Sequence, residues 1–96
     1  MGLSSLLNEK RAEIIRIAKA HGAISLRVFG SYSRGEENPD SDIDLIVELE
    51  SDRSLLDVIA IKQEIEDIVQ RKVDVVTEAA LSPYIREDIL REAVAL

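Results

Sequence analysis

The chain has 96 residues, of which 46% are apolar, so we expect one small folded domain over 1–96. Acidic residues outnumber basic ones by 19 to 12, giving a net charge of -7. This negative net charge argues against a protein that binds nucleic acid through its phosphates. The absence of cysteine excludes disulfides and thiolate metal sites and is typical of a cytoplasmic protein. No apolar run is long enough to predict a membrane span.

The beginning of the chain is predicted to form a helix and then a strand. Apolar spacing over 3–20 predicts the helix, with Ser4 or Ser5 as its cap. Alternation of apolar and polar residues over 24–29 predicts the strand. The apolar side of that strand comprises Ile24, Leu26 and Val28.

The middle of the chain is predicted to form turns, a strand and a helix. The segment 30–41 is rich in Gly, Ser, Asn and Asp, which predicts turns with one helical turn near 31–35. Alternation over 42–49 predicts a second strand, whose apolar face comprises Ile43, Leu45, Val47 and Leu49. A second helix is predicted over 55–69, with an apolar side made of Leu55, Leu56, Ile59, Ile65 and Ile68.

The end of the chain is predicted to form a short strand over 73–76 and a last helix. Ser82 caps that helix, Pro83 occupies its first turn, and it continues to about Val94. The short link between the first two strands favours an antiparallel pair, whereas the intervening helix suits a parallel crossover to the third. We therefore expect an α/β (α+β) fold, with a short mixed sheet of three or more strands and helices packed on one face.

The predicted topology brings polar residues to one edge of the sheet. The end of the first strand and the starts of the other two share this edge, which collects Gly30, Ser31, Asp42, Asp44 and Asp74. Asp42 and Asp44 are two residues apart, so they face the same side of a strand. Such close carboxylates both ionise readily only when a cation lies between them.

A third acid, Asp74, extends this interpretation. It lies within a β-branched strand, where it could equally be an outward residue of a half-exposed strand. Together with Asp42 and Asp44 it gives three carboxylates, which are the usual ligands of a two-metal phosphoryl-transfer site. In that arrangement Asp42 and Asp44 bridge both ions, while Asp74 holds the catalytic ion and accepts the nucleophile's proton. Mg²⁺ is the expected metal because oxygen ligands and phosphates suit it, with Mn²⁺ as the alternative.

The turn before the second strand is the predicted phosphate site. Gly30 and Ser31 offer backbone N–H groups and a hydroxyl to a triphosphate, although an ordinary Gly-Ser turn is the alternative. Arg34 either contacts a phosphate, braces the loop through Asp40, or is simply solvated. Gly35 is predicted to supply a positive φ. Walker and EF-hand motifs are excluded because residues that each requires are missing.

The whole pattern resembles the minimal nucleotidyltransferases of the DNA polymerase β superfamily. The residues that carry the resemblance are Gly30-Ser31, Arg34-Gly35, Ser41-Asp42-Ile43-Asp44-Leu45 and Val73-Asp74-Val75-Val76. The resemblance covers nearly the whole chain. It implies metal binding by Asp42, Asp44 and Asp74, and triphosphate binding at Gly30-Ser31. Larger relatives carry further domains for the base and the acceptor, so we expect a partner to complete the site here.

Stand-alone minimal members of this family look like antitoxins that transfer AMP from ATP to a tyrosine of a helical HEPN ribonuclease toxin. The resemblance therefore implies a metal-dependent nucleotidyltransferase with ATP as substrate and a HEPN-type protein as partner. Two alternatives stay open. One is a non-catalytic antitoxin or regulatory subunit that acts by binding, and the other is a nucleotidyltransferase that acts on a small molecule or an RNA end.

Overall fold

The computed structural model describes residues 5–38 and 40–96, and its main elements follow the predicted order. The predicted helix start at Leu3 and the cap at Ser4 lie outside the described residues. Among the helices of the described residues, none combines the length and the apolar character of a membrane span. The elements are α1 (Ser5–Ala20), β1 (Ala23–Phe29), α2 (Ser31–Arg34), β2 (Ile43–Leu49), α3 (Leu55–Val69), β3 (Val73–Thr77), a 3-10 turn (Glu78–Ala80), α4 (Pro83–Glu92) and β4 (Val94–Ala95).

The strands form one mixed sheet in the order β3-β2-β1-β4. β1 and β2 are antiparallel, with Phe29 opposite Asp44, and β2 and β3 are parallel, with Asp44 opposite Asp74. Both predicted strand orientations are therefore confirmed.

The C-terminal part of the sheet differs from the prediction. The last helix ends at Glu92 rather than continuing to Val94, and Val94 instead begins β4. This strand pairs antiparallel with β1, Val94 lying opposite Val28. Two residues carry no periodicity, so the pairing has no signal in the sequence.

The core lies between the sheet and helices α1 and α3, as the predicted packing of helices on one face requires. The predicted apolar face of β2 is confirmed, since Ile43, Leu45 and Val47 are fully buried, with Leu49 packed at the margin of the core. The other fully buried members of this cluster are Leu7, Ile14, Val28, Ile61, Ile65 and Val73.

The predicted apolar face of α3 is wrong in part. Leu55, Leu56 and Ile59 are 72%, 75% and 41% exposed, although Ile65 is buried as expected. The helix also buries Val58, Ile61 and Val69. Apolar residues cover more than half of the circumference of this helix, so periodicity alone does not decide which side packs.

The predicted apolar side of β1 also needs one correction. Ile24 is 61% exposed, whereas Leu26 and Val28 are buried. The register of β1 against β2 shifts between Ala23 and Ser25, where a β-bulge interrupts the alternation. The bulge turns Ile24 outward and leaves the rest of the strand in regular register.

A pair of alanine substitutions checks which side of α3 is packed. Ile61→Ala is expected to lower the free energy of unfolding by about 3 kcal/mol, because a fully buried side chain leaves a cavity. Ile59→Ala, on the same helix but 41% exposed, should cost about 0.5–1 kcal/mol. Urea denaturation of both variants measures the difference, and equal losses would contradict the observed packing.

Candidate active site

The end of β1 and the starts of β2 and β3 meet at one edge of the sheet, which we call the acidic edge and define by Gly30, Asp42, Asp44 and Asp74. Asp44 and Asp74 are register partners on parallel strands, so their side chains lie on the same face. Asp42 immediately precedes β2, and Gly30 immediately follows β1. The topology thus places the three predicted carboxylates at the same end of the sheet as the predicted phosphate turn.

Asp44 is half-buried, whereas Asp42 and Asp74 are exposed. Burial raises the pKa of Asp44 to about 6, and repulsion from Asp74 and then Asp42 adds to the rise. Arg34 opposes this rise but does not overcome it. Burial and two neighbouring acids thus disfavour the charged form of the Asp44 carboxylate. The same negative surroundings favour a cation bound beside it.

The donor chemistry of the acidic edge fits a divalent metal ion. Carboxylate oxygens are the ligands that Mg²⁺ and Mn²⁺ prefer, and a bound cation would relieve the charge repulsion at Asp44. Within residues 5–38 and 40–96, no three acidic or histidine side chains are gathered closely enough to form a complete metal site. Asp42 and Asp74 are exposed, so packing does not fix the direction of either side chain.

Gly30 packs directly against the acidic edge. Its backbone has φ 74° and ψ -153°, a conformation that is essentially restricted to glycine. A Cβ atom at this position would collide with Oδ2 of Asp44. Glycine at position 30 therefore lets the backbone lie close to the Asp44 carboxylate.

The turn between β1 and β2 is held by its own hydrogen bonds. Ser31 begins α2, which is the helical turn predicted for this segment, and Tyr32 is buried with 2% exposure. Ser33 Oγ donates to the Gly30 carbonyl at 2.7 Å. Gly35 has φ 71°, as predicted, and its N–H donates to the Ser31 carbonyl. These contacts fix the path of the chain around the predicted phosphate site.

Arg34 is held by two glutamates. Its Nε donates to Glu36 Oε1 at 2.7 Å, and its Nη1 donates to Glu92 Oε1 and Oε2 at 3.1 and 3.0 Å. Of the alternatives for Arg34, the brace through Asp40 and the simply solvated side chain are both wrong, because the guanidinium pairs with Glu36 and Glu92. Arg34 therefore lies beside the acidic edge with two carboxylates already bound.

Glu92 is the residue of this site that the sequence does not reveal. Besides binding Arg34, its Oε1 accepts a hydrogen bond from the Gly30 N–H at 3.0 Å. A glutamate in the last turn of an amphipathic helix is ordinary, and Gly30 lies 62 positions away in the chain. Only the tertiary structure brings the two together.

Comparison with known families decides the class of this site. The profile described as a nucleotidyltransferase domain matches residues 11–96. The chain belongs to the nucleotidyltransferase domain family. The match includes all four strands and every residue of the acidic edge. It confirms the enzyme class predicted from the sequence, a nucleotidyltransferase.

Two archaeal relatives are similar over almost their whole length. A protein of Methanocaldococcus jannaschii, named as a candidate protein adenylyltransferase, is 41% identical over 88 residues, covering 92% of this chain and 95% of the relative. The protein adenylyltransferase MntA of Thermococcus cleftensis is 35% identical over 92 residues, covering 96% of this chain and 90% of the relative.

Solved structures agree with the assignment to this family. A structure described as a candidate minimal nucleotidyltransferase has a TM-score of 0.85 at 43% identity, covering 94% of this chain and 92% of that chain. A crystal structure of a toxin–antitoxin complex with AMP-PNP has a TM-score of 0.75 at 21% identity, covering 88% of this chain and 69% of that chain. The second likeness supports the fold alone. The predicted fold class and the predicted resemblance to minimal nucleotidyltransferases are confirmed.

Proposed function

We propose that this nucleotidyltransferase transfers AMP from ATP to a hydroxyl group of a protein partner and thereby acts as an antitoxin. The observation that carries the proposal is the placement of Asp44 in register with Asp74, beside Asp42 and the Gly30 turn. The names of the two archaeal relatives support a protein as acceptor. The expected acceptor is a tyrosine of a helical HEPN-type toxin.

The reaction divides among the residues of the acidic edge. Asp42, Asp44 and Asp74 would hold Mg²⁺, which when bound neutralises triphosphate charge and makes the attacking hydroxyl more acidic. The Gly30 N–H and the Arg34 guanidinium bind phosphate oxygens. The hydroxyl oxygen attacks the α-phosphorus, the bond from that phosphorus to the β-phosphate oxygen breaks, and pyrophosphate leaves. Asp74 accepts the proton of the hydroxyl.

A protein acceptor suits the surface of this chain better than a nucleic acid does. The net charge of -7 repels a polyanion, and the acidic edge adds to that repulsion.

A groove of about 310 Å³ lies between α1, β1 and the C-terminal residues. Its lining includes Ile24, Leu26 and Leu96 but no residue of the acidic edge. A partner that brings its own hydroxyl to the edge would complete the site.

The transfer itself can be measured with ATP labelled in the α-phosphate, MgCl₂ and the protein encoded by the neighbouring gene. We expect the label on the partner, and a loss of about 100-fold or more in Asp42→Ala and Asp74→Ala, because each removes a group that stabilises developing charge. Asp88→Ala changes an exposed acid of α4 and should label normally. An unlabelled partner with the wild-type protein would contradict the proposal.

The same variants separate catalysis from simple binding. If transfer silences the partner, Asp42→Ala and Asp74→Ala should bind the partner in a pull-down but fail to neutralise it in cells. Neutralisation by both variants at the wild-type level would instead favour the non-catalytic antitoxin. Labelling of RNA or of a small molecule in place of the partner would favour the remaining alternative.

A further inference from the structure

A carboxylate of this chain already occupies anion-binding donors beside the acidic edge. The Gly30 N–H donates to Glu92 Oε1 at 3.0 Å, and Arg34 Nη1 donates to both Glu92 oxygens at 3.1 and 3.0 Å. A backbone N–H and a guanidinium are the donors that phosphate oxygens commonly bind in proteins. Glu92 therefore holds the same donors that the triphosphate would use.

The backbone places Glu92 at this position. Val94 of β4 pairs with Val28 of β1, and Glu92 precedes Val94 by two residues just as Gly30 follows Val28 by two. The antiparallel register therefore places Glu92 opposite Gly30. Its side chain is 31% exposed, so it can rotate into solvent without leaving a cavity in the core.

We propose that Glu92 is a displaceable anionic gate on the triphosphate site, which holds Gly30 and Arg34 in the nucleotide-free protein and leaves when the phosphates bind. The inference rests on the proposed function, because the displacing anion is the triphosphate of the nucleotide. The apparent affinity for that anion is then reduced by the fraction of molecules in which Glu92 has already moved. Removing the charge of Glu92 should raise the affinity.

Glu92→Gln is the variant that isolates this effect. The amide oxygen can still accept the hydrogen bond from the Gly30 N–H, whereas the ionic attraction to Arg34 is lost. Glu87→Gln is the matched control, since Glu87 lies on the same helix, is 88% exposed, and its substitution changes the net charge equally. A difference between the two variants reports the position of Glu92 rather than the total charge.

The measurement is a calorimetric titration with inorganic tripolyphosphate in the presence of MgCl₂. We expect Glu92→Gln to bind about tenfold more tightly than the wild type, which corresponds to ~1.4 kcal/mol, and Glu87→Gln to bind like the wild type. In an Arg34→Gln background the gain should be smaller, because one shared donor is absent. Equal or weaker binding by Glu92→Gln, or an equal gain from Glu87→Gln, would overturn the gate.

A second variant keeps the test valid if Glu92→Gln loses its folded circular dichroism spectrum. Glu92→Asp has a carboxylate one methylene shorter, reaches the two donors less well, and should also bind tripolyphosphate more tightly than the wild type. Failure of the gate and failure of the proposed transfer are distinguishable. Tighter tripolyphosphate binding without a labelled partner contradicts only the transfer, whereas unchanged binding with a labelled partner contradicts only the gate.

Discussion

Asp44→Asn is expected to lower the rate of nucleotide transfer by about 1,000-fold, since a metal ligand at the reacting phosphate supplies several kcal/mol and each 1.4 kcal/mol is tenfold in rate. Asp44 carries the largest expected effect because it is half-buried and is the carboxylate on which both of the others act electrostatically. The measurement is the initial rate of label transfer at saturating ATP. Asp52→Asn, in an exposed turn at the other end of β2, is the control and should transfer at the wild-type rate.

The same substitution should stabilise the metal-free protein. The pKa of Asp44 is about 6 in the folded chain against the ordinary 3.8, so between these values the folded state binds more protons than the unfolded state. Stability therefore falls as the pH rises through this window, and the loss is complete above about pH 6. Allowing for the partial exposure of Asp44, we expect a loss of about 1 kcal/mol, or roughly 5 °C in melting temperature.

Melting curves with and without MgCl₂ check this second effect. At about pH 7.5 without metal, Asp44→Asn should melt at a higher temperature than the wild type, and at about pH 4 the difference should disappear. Added MgCl₂ should raise the melting temperature of the wild type more than that of the variant, because ligand binding stabilises the folded state. A wild type that melts above Asp44→Asn at neutral pH without metal would contradict the electrostatic description of the edge.

Gly30→Ala is expected to lower transfer by about 100-fold, the loss that a displacement of about 1 Å at a reacting centre can cause. The new Cβ would collide with Oδ2 of Asp44, and the backbone of Gly30 lies in a region that other residues avoid. The carboxylate must therefore move or the turn must change its path. Either response should also lower the free energy of unfolding, by about 2 kcal/mol.

Gly35→Ala is the matched control for Gly30→Ala. Gly35 also has a positive φ, of 71°, but a Cβ there would meet no atom within 4 Å. It should cost about 1 kcal/mol of stability through backbone strain and leave transfer close to the wild-type rate. Equal transfer rates for the two alanine variants would show that contact with Asp44 is not what requires glycine at position 30.

The parts of the site that the sequence predicts are those encoded by short-range pattern. Asp42 and Asp44 share a face because of the two-residue period of a strand, and the length of each connection indicates which strands are parallel. These two local rules are enough to bring Asp74 beside Asp44, as the register of β2 and β3 shows. The positive φ of Gly35 is equally local in origin.

The parts that the sequence misses depend on competition between distant segments. In α3, both Ile59 and Ile61 are apolar, and contact with α1 and the sheet decides which one is buried. The pairing of Val94 with Val28 has no periodic signal, and the contact of Glu92 with Gly30 depends on that pairing. Arg34 has several acidic residues within reach along the chain, and the fold selects Glu36 and Glu92 over Asp40.

The bulge in β1 has an evolutionary consequence. It lies between Ala23 and Ser25, at the end of the strand that is farther from Asp44, and the pairing from Leu26 to Phe29 is regular. An inserted or deleted residue is therefore tolerable near the bulge or in the turn over 50–54. One extra residue inside β2 would exchange the two faces of the strand, sending Asp44 into the core and Leu45 to the surface. Homologues should therefore vary in length at the end of the sheet near the bulge and keep a fixed length at the acidic edge.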